Sequence, residues 1–396
     1  MGVGGYGNNY ARPLLEPPEN KQVVFAVGID PYVGSSPLWE AVQQARIPIF
    51  DDLGNALNQV DVDMVVISSP IHLHAPQTLL ALAHGVPVLC EKPLAATLEE
   101  GLTMLNAQRQ AGLPVGIGYQ WSFSHAVQAL KQDIQAGVLG RPIRLKTMVL
   151  WPRRLSYYQR SSWAGRIRMP DGEWVLDSPV NNATAHYLHN MLYILGSDRT
   201  LSAFPSQVQA ELYCANAIEN FDSAALRIWT ESGVEVLFYS AHPVKDEVGP
   251  VMVFEFENAT VTYEAGGLSE FVAEFKDGTT RNYGNPNFPH TDKLWYFLDN
   301  IQAGIQPDCG ILAALSHTLC IHAIHRSVSQ PVRFPHGMIR VEDAGSDPLT
   351  WVAGLSDAFS DAYGHWILPS EEGDIPWASA GAAVELKAEL TRIKKD

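Results

Sequence analysis

MGVGGYGNNY, residues 1–10, is the stretch on which the reading of the whole chain turns. Gly2, Gly4 and Gly7 stand in G-x-G-x-x-G spacing, with Gly5 and Tyr6 inside it. This spacing marks a turn that follows a buried β-strand, opens a helix and cradles a pyrophosphate on backbone amides. Alone it is weak, because glycine turns are common. The next apolar run, VVFAVGID at 23–30, strengthens it by placing Asp30 at a strand end, 23 residues beyond Gly7. An acid about 20 residues after the turn hydrogen-bonds ribose hydroxyls. The same carboxylate repels a 2′-phosphate, and the nearest following arginine is Arg46. NAD is therefore expected in preference to NADP.

Outward from the turn, short apolar runs alternate with helical patterns as far as about residue 119. VVFAVGI, DMVVIS, PVLCE and PVGIGY read as strands, and SPLWEAVQQAR, HAPQTLLALAHG and TLEEGLTMLNAQRQAG as helices. Thr97 and Glu100 form a capping box at the start of the last of these. Such alternation implies a doubly wound parallel sheet, a Rossmann-type α/β domain. Its central first strand, typically ~5–6 residues and buried on both faces, has only Met1 to supply it. The native start is therefore expected upstream of Met1, and the structure is expected to have a missing or stub-like first strand with an apolar slot between its neighbours.

After residue 120 the rhythm changes. One helix (SHAVQALKQDIQAG) leads to a long strand, an aromatic and Arg-rich loop at 151–174, and a helix ending at Gly196. From 203 to 283 the pattern is a meander with turns at ESG and KDG, an antiparallel sheet with one open face. Helices are expected near 291–303 and 309–328. The expected division is a dinucleotide-binding domain at 1–120, an α+β substrate and oligomerisation domain at 121–330, and a C-terminal extension at 331–396 that packs on the body.

Composition bounds the function. The chain has 396 residues, 46% of them hydrophobic, which suits two or three globular domains. Its 27 basic and 43 acidic side chains give a net charge of −16, which argues against a nucleic-acid partner. No apolar run reaches the ~20 residues that span a membrane. Four scattered cysteines without C-x-x-C spacing read as buried thiols of a reducing compartment, so the cytoplasm is the default location.

Two further stretches sit at strand ends, where open α/β sheets bind ligands: SSPIHLHAPQT at 68–78 and CEKPLA at 90–95. Ser69, Pro70 and His74 belong to the first, and Glu91, Lys92 and Pro93 to the second. With the glycine turn and Asp30, their order and spacing resemble the glucose–fructose oxidoreductase / inositol dehydrogenase (Gfo/Idh/MocA) superfamily over about residues 1–330. The resemblance implies that these motifs line an NAD cofactor and that Lys92 lies beside the nicotinamide and substrate. A lysine so placed can hydrogen-bond a reacting hydroxyl or relay its proton.

The resemblance also implies a helix with Asp-x-x-x-His at the substrate. Counting back from Gly196 puts His186 at the histidine, but Asn182 stands four residues before it and Asp177 nine. Either Asp177 is the family acid with an insertion after it, or the acid is replaced. His189 stands where a second Asp is common, and Ser122 and His125 replace a frequent arginine and proline. The expected catalytic residues are thus Lys92, His186 and Asp177, with the DSPVNNATAH segment and Lys92 meeting across one cleft. Arg160, Trp163, Arg166, Asn181, Asn182 and His189 are the substrate candidates, since aromatic faces and arginine forks suit sugars, although the 151–174 loop equally suits an oligomer contact. No metal is expected: H-x-x-H at 186–189 lacks a third ligand, and HTLCIHAIH at 317–325 spreads its histidines round a helix. The expected activity is oxidation of a secondary hydroxyl of a sugar, cyclitol or glycoside by NAD. The alternatives are a lyase or glycosidase that recycles bound NAD and, against the retention of Lys92 and His186, a silent NAD-binding sensor. Relatives of this kind are commonly homodimers or homotetramers.

Overall fold

The structure, a computed structural model, describes residues 2–30, 34, 36–342 and 345–395. The chain divides into two compact units, 1–123 with 287–315, and 124–286 with 316–396.

The first unit opens on the glycine turn, whose residues Gly5–Gly7 form a 3-10 turn continuing into α1 (Asn8–Leu15). There follow β1 (Gly28–Ile29), α2 (Trp39–Gln44), β2 (Ile49–Phe50), α3 (Leu53–Leu57), β3 (Val65–Ile67), α4 (His74–Ala83), β4 (Val88–Cys90), α5 (Leu98–Ala111) and β5 (Val115–Ile117). All strand pairs here are parallel, and β4 and β5 are short apolar runs with no exposed residue, as a sheet covered on both faces demands. The capping box of α5 is present, with the Thr97 hydroxyl accepting from the Glu100 amide and Glu100 from that of Thr97.

This parallel sheet is in two pieces, β1–β2 and β3–β4–β5. Met1 lies outside the described residues. Gly2 donates its N–H to the Ile29 carbonyl at 2.8 Å, and the Ser68 hydroxyl donates to the Gly2 carbonyl at 3.4 Å, so the turn begins between the ends of β1 and β3. A cavity of about 670 Å³ lies between these two pieces. Val23, Phe25, Val27 and Ile29 line one side, and Met64, Val65 and Val66 the other. Residues 23–27 have no strand pairing, which shortens the expected seven-residue strand to two.

The second unit starts with α6 (His125–Gln135), β6 (Pro142–Leu150), the short α7 (Leu155–Gln159) and α8 (Ala185–Ile194). Strands β7 (Pro205–Cys214), β8 (Ser223–Thr230), β9 (Glu235–Ala241), β10 (Val248–Phe256), β11 (Ala259–Glu264), β12 (Phe271–Phe275) and β13 (Thr280–Gly284) follow. The chain then returns to the first unit with α9 (Asp292–Ala303), and α10 (Ile311–Ser327) leads into the C-terminal segment. That segment holds β14 (Val332–Arg333), β15 (Ile339–Glu342), β16 (Leu349–Val352), α11 (Leu355–His365), β17 (Val384–Glu385) and α12 (Lys387–Lys395). Ten strands make one sheet in the order β13-β12-β11-β10-β6-β9-β8-β7-β14, with β17 also on β7. It is mainly antiparallel; β6 runs parallel to β9, and β14 to β7.

The face expected to stand open is covered in part by the chain itself. Met148, Leu150, Tyr213, Leu237 and Tyr239 of the strands pack with Phe334, Val352, Leu355, Phe359, Leu368 and Trp377 of the C-terminal segment. Burial follows this cover: β9 has no exposed residue, whereas β11 alternates, with Thr262 and Glu264 exposed. Among the described residues no helix is long and apolar enough to cross a membrane.

Candidate active site

Gly2 adopts φ +73°, a conformation costly for any residue with a side chain. A Cβ on Gly7 would lie 1.6 Å from the Gly2 carbonyl oxygen, so the start of α1 and the turn approach too closely for any other residue. The helical run begins at the 3-10 turn Gly5–Gly7, which has neither a side-chain cap nor an acidic residue in its first turn. Amides in such a position attract a phosphate. The turn itself is fixed by Asp30, whose Oδ2 accepts from the amides of Val3 and Gly4, both at 2.9 Å. These features fit a pyrophosphate, and with it NAD held over Gly2–Gly7. Asp30 thus holds the turn in addition to standing at the end of β1.

The other strand-end residues brace one another. His74 is buried; its Nδ1 faces the Pro93 carbonyl at 2.7 Å and its Nε2 the Ser69 carbonyl at 3.0 Å. Burial lowers its pKa against the opposing pull of these two carbonyls. The Ser69 hydroxyl donates to Gln77 at 2.6 Å, and Pro70 caps the 3-10 turn before α4. Glu91 is buried and receives the Lys293 ammonium and the Tyr10 hydroxyl on Oε1 and the Lys92 amide on Oε2 at 3.2 Å. Burial alone would push the Glu91 carboxyl up, but Lys293, with Tyr10 and Lys92, holds it below the usual carboxylate range. Lys92 is half-buried. Glu91 and His74, expected to line the cofactor, are buried and brace the segments that carry Ser69, Pro70, Lys92 and Pro93.

Lys293, Tyr10 and His290 were missed by sequence reasoning. A signal existed for Lys293, which falls four residues before Phe297 on the buried stripe of α9, a stripe that should be apolar. Tyr10 and His290 carry no such sign; only the fold brings them to Tyr6 and Glu91.

In the second unit the structure gathers Asp177, Asn182 and Arg160. Asp177 is buried; Oδ1 accepts from Asn182 at 2.8 Å and Oδ2 from the Gly165 amide at 2.7 Å, with the Arg160 guanidinium at 3.7 Å. Both candidates for the family acid position thus form one hydrogen-bonded pair in the segment that precedes His186, which lies near the start of α8. Leu176, just before Asp177, has φ +51°, a strained conformation for leucine that concentrates at functional sites. Asn181 supports it by donating to the Leu176 carbonyl at 3.1 Å. Arg160 stacks over the rings of Tyr157 and Trp163, at 3.7 and 4.9 Å, and Arg166 donates to the Ser162 carbonyl.

His189 lies apart from this group. It is buried, stacked on Tyr193 at 5.7 Å, and burial with His317 and Lys131 lowers its pKa well below the ordinary value. His189 thus stands on the buried side of α8. His317 faces the Val180 carbonyl, and His325 packs on Phe221. Among the described residues no group of three or more His, Cys, Asp or Glu is placed to hold a metal, and the four cysteines are buried thiols.

A turn built for a pyrophosphate at the head of a parallel sheet defines a dinucleotide-binding domain. Residues 1–119 match the oxidoreductase family with an NAD-binding Rossmann fold, Gfo/Idh/MocA, and this N-terminal domain belongs to that superfamily. Over 127 residues the chain is 38% identical to a 1,5-anhydro-D-fructose reductase of Ensifer adhaerens, covering 31% of this chain and 36% of the relative. Over 199 residues it is 26% identical to an inositol 2-dehydrogenase of Burkholderia multivorans, covering 50% and 54%. The matched segments thus span only a third to a half of these relatives. The WlbA dehydrogenase of Bordetella pertussis, solved with NADH and UDP-GlcNAcA, is similar with TM-score 0.67 over 82% of this chain and 94% of that one. At 20% identity that likeness is one of fold.

Proposed function

We propose that the protein is an NAD-dependent oxidoreductase that takes hydride from a secondary hydroxyl of a sugar or cyclitol. The carrying observation is the glycine turn: its Gly7–Gly2 approach, its uncapped helix start and Asp30 beneath it suit a dinucleotide, in a domain of an oxidoreductase family. Relatives named for inositol and anhydrofructose support a polyhydroxylated substrate.

Gly2–Gly7 and the start of α1 would hold the pyrophosphate, and Asp30 the ribose. NAD, when bound, supplies the hydride acceptor. Lys92 would hydrogen-bond the reacting hydroxyl and take or pass on its proton. Its position is set by Glu91, on which its own amide is anchored. In the second unit His186 is the candidate for a further proton-handling group. Asp177 and Asn182 set the segment that precedes it, and Arg160 and Trp163 offer a fork and a ring to sugar hydroxyls and faces.

The test is a panel of sugars, cyclitols and glycosides incubated with NAD, read by nicotinamide absorbance and product mass. Net NADH formation with a product two hydrogens lighter is expected. Lys92→Ala should cut its rate ~10²–10⁴-fold, the usual cost of removing a positioned acid–base group, while NAD affinity changes only a few-fold. Aglycone release without NADH accumulation, or an unimpaired Lys92→Ala variant, overturns the assignment.

A further inference from the structure

Glu91 is where three separate segments of the first unit meet. Tyr10 comes from α1, Lys92 from the loop after β4, and Lys293 from α9. Lys293 has no exposed surface, and its ammonium group reaches beyond Glu91 to donate to the Tyr6 hydroxyl at 3.3 Å. Tyr6 lies inside the glycine turn and is more than one-third exposed; its hydroxyl also pairs with His290 Nδ1 at 3.0 Å. Beneath the carboxylate, a Cβ at Gly118 would sit 2.8 Å from Glu91 Oε2, so no bulkier residue fits there as the carboxylate stands. One buried ammonium group therefore touches both the turn and the acid beside Lys92.

We propose that Lys293 is a positioning residue that joins the glycine turn and the Glu91-Lys92-Pro93 segment into a single cofactor-binding unit. The inference rests on the reading that this turn takes NAD. Binding would then draw on Lys293 without contact between Lys293 and the dinucleotide. Tyr6 is held over the turn by its hydrogen bond to Lys293, and Lys92 is held by the Glu91 carboxylate that Lys293 neutralises. Without the ammonium group, Tyr6 loses its donor and Glu91 becomes a buried charge lacking its counter-ion, which a protein relieves by moving or protonating the group.

The test compares NADH affinity, by fluorescence titration, with melting temperature in the full chain. Lys293→Met is expected to weaken NADH at least about tenfold, the scale of one lost charged hydrogen bond. Lys293→Arg, which keeps charge and donors, should recover most of that loss. The double variant Glu91→Gln/Lys293→Met leaves no unpaired charge, so its melting temperature should return towards that of the parent while its affinity stays low. Tyr6→Phe, at a partly exposed position that tolerates the change, should weaken NADH several-fold without lowering the melting temperature. If Lys293→Met and Tyr6→Phe both bind NADH within twofold of the parent, whatever their melting temperatures, Lys293 serves stability alone and the proposal is overturned. A parent chain that does not bind NADH overturns the functional reading, and this inference with it.

Discussion

Asp30 shows how one side chain can carry two duties. From the sequence it is a ribose ligand, a carboxylate at a strand end at the right distance from the turn. In the structure its Oδ2 also accepts from the Val3 and Gly4 amides, so it fixes the turn on which the pyrophosphate would rest. Removing it should therefore cost more than one ribose contact. Asp30→Ala is expected to weaken NAD by about one to two orders of magnitude, since charged hydrogen bonds contribute ~1.5–3 kcal/mol each. Asp30→Asn keeps an acceptor for the two amides but removes the charge that repels a 2′-phosphate. It should retain more NAD affinity than the alanine variant and narrow the preference for NAD over NADP. Titration of both dinucleotides against the three proteins decides it: equal NAD affinity throughout would remove Asp30 from the site. In the second unit Asp177 repeats the pattern, with both carboxylate oxygens committed to Asn182 and Gly165. The choice between Asp177 and Asn182 could not be made by counting because the two residues form a hydrogen-bonded pair.

At the scale of elements, local signals were legible and long-range ones were not. The capping box of α5, the apolar runs of β3, β4 and β5 and the helix ending near Gly196 follow from periodicity and caps, which the sequence displays directly. The central placement of β6 between β10 and β9 does not, because strand order depends on pairing across a hundred residues. Nor does the Glu91–Lys293 pair, 202 positions apart, although a lysine on the buried stripe of α9 was a visible anomaly. The run at 23–29 reads as a full strand, yet only Gly28 and Ile29 pair, with a 670 Å³ cavity on the other side. A strand that has a neighbour on one edge alone leaves its other amides to water or to transient partners. Hydrogen exchange read by mass spectrometry should therefore find amides at 23–30 and 47–50 exchanging orders of magnitude faster than those at 86–91. Equal protection on the two sides would mean that the sheet is continuous in solution.

At the scale of the whole molecule, each unit has its own clusters of buried side chains among the described residues. In the first unit Val3, Ala11, Leu38 and Val42 form one cluster, and Tyr10, Leu89, Leu294 and Phe297 another. In the second, the C-terminal segment closes over β6, β8 and β9 through Phe359 and its neighbours. An antiparallel sheet with a bare apolar face usually buries it against a partner; here that face is covered in part from within, and on β11 it is polar at Thr262 and Glu264. The two units should separate in calorimetry. A ligand that binds one folded unit stabilises that unit, by ~2.7 kcal/mol at a hundredfold excess over Kd. NAD should raise the transition of the first unit and leave the second in place. Phe359→Ala should do the reverse, because deleting a buried ring and leaving its cavity typically costs ~3–5 kcal/mol. Phe359 lies in the core of the second unit, outside the dinucleotide residues, so NADH affinity should be unchanged in that variant. A single transition moved by both the ligand and the substitution would show instead that the two units unfold together, and that the C-terminal cover supports the cofactor domain as well as the sheet on which it lies.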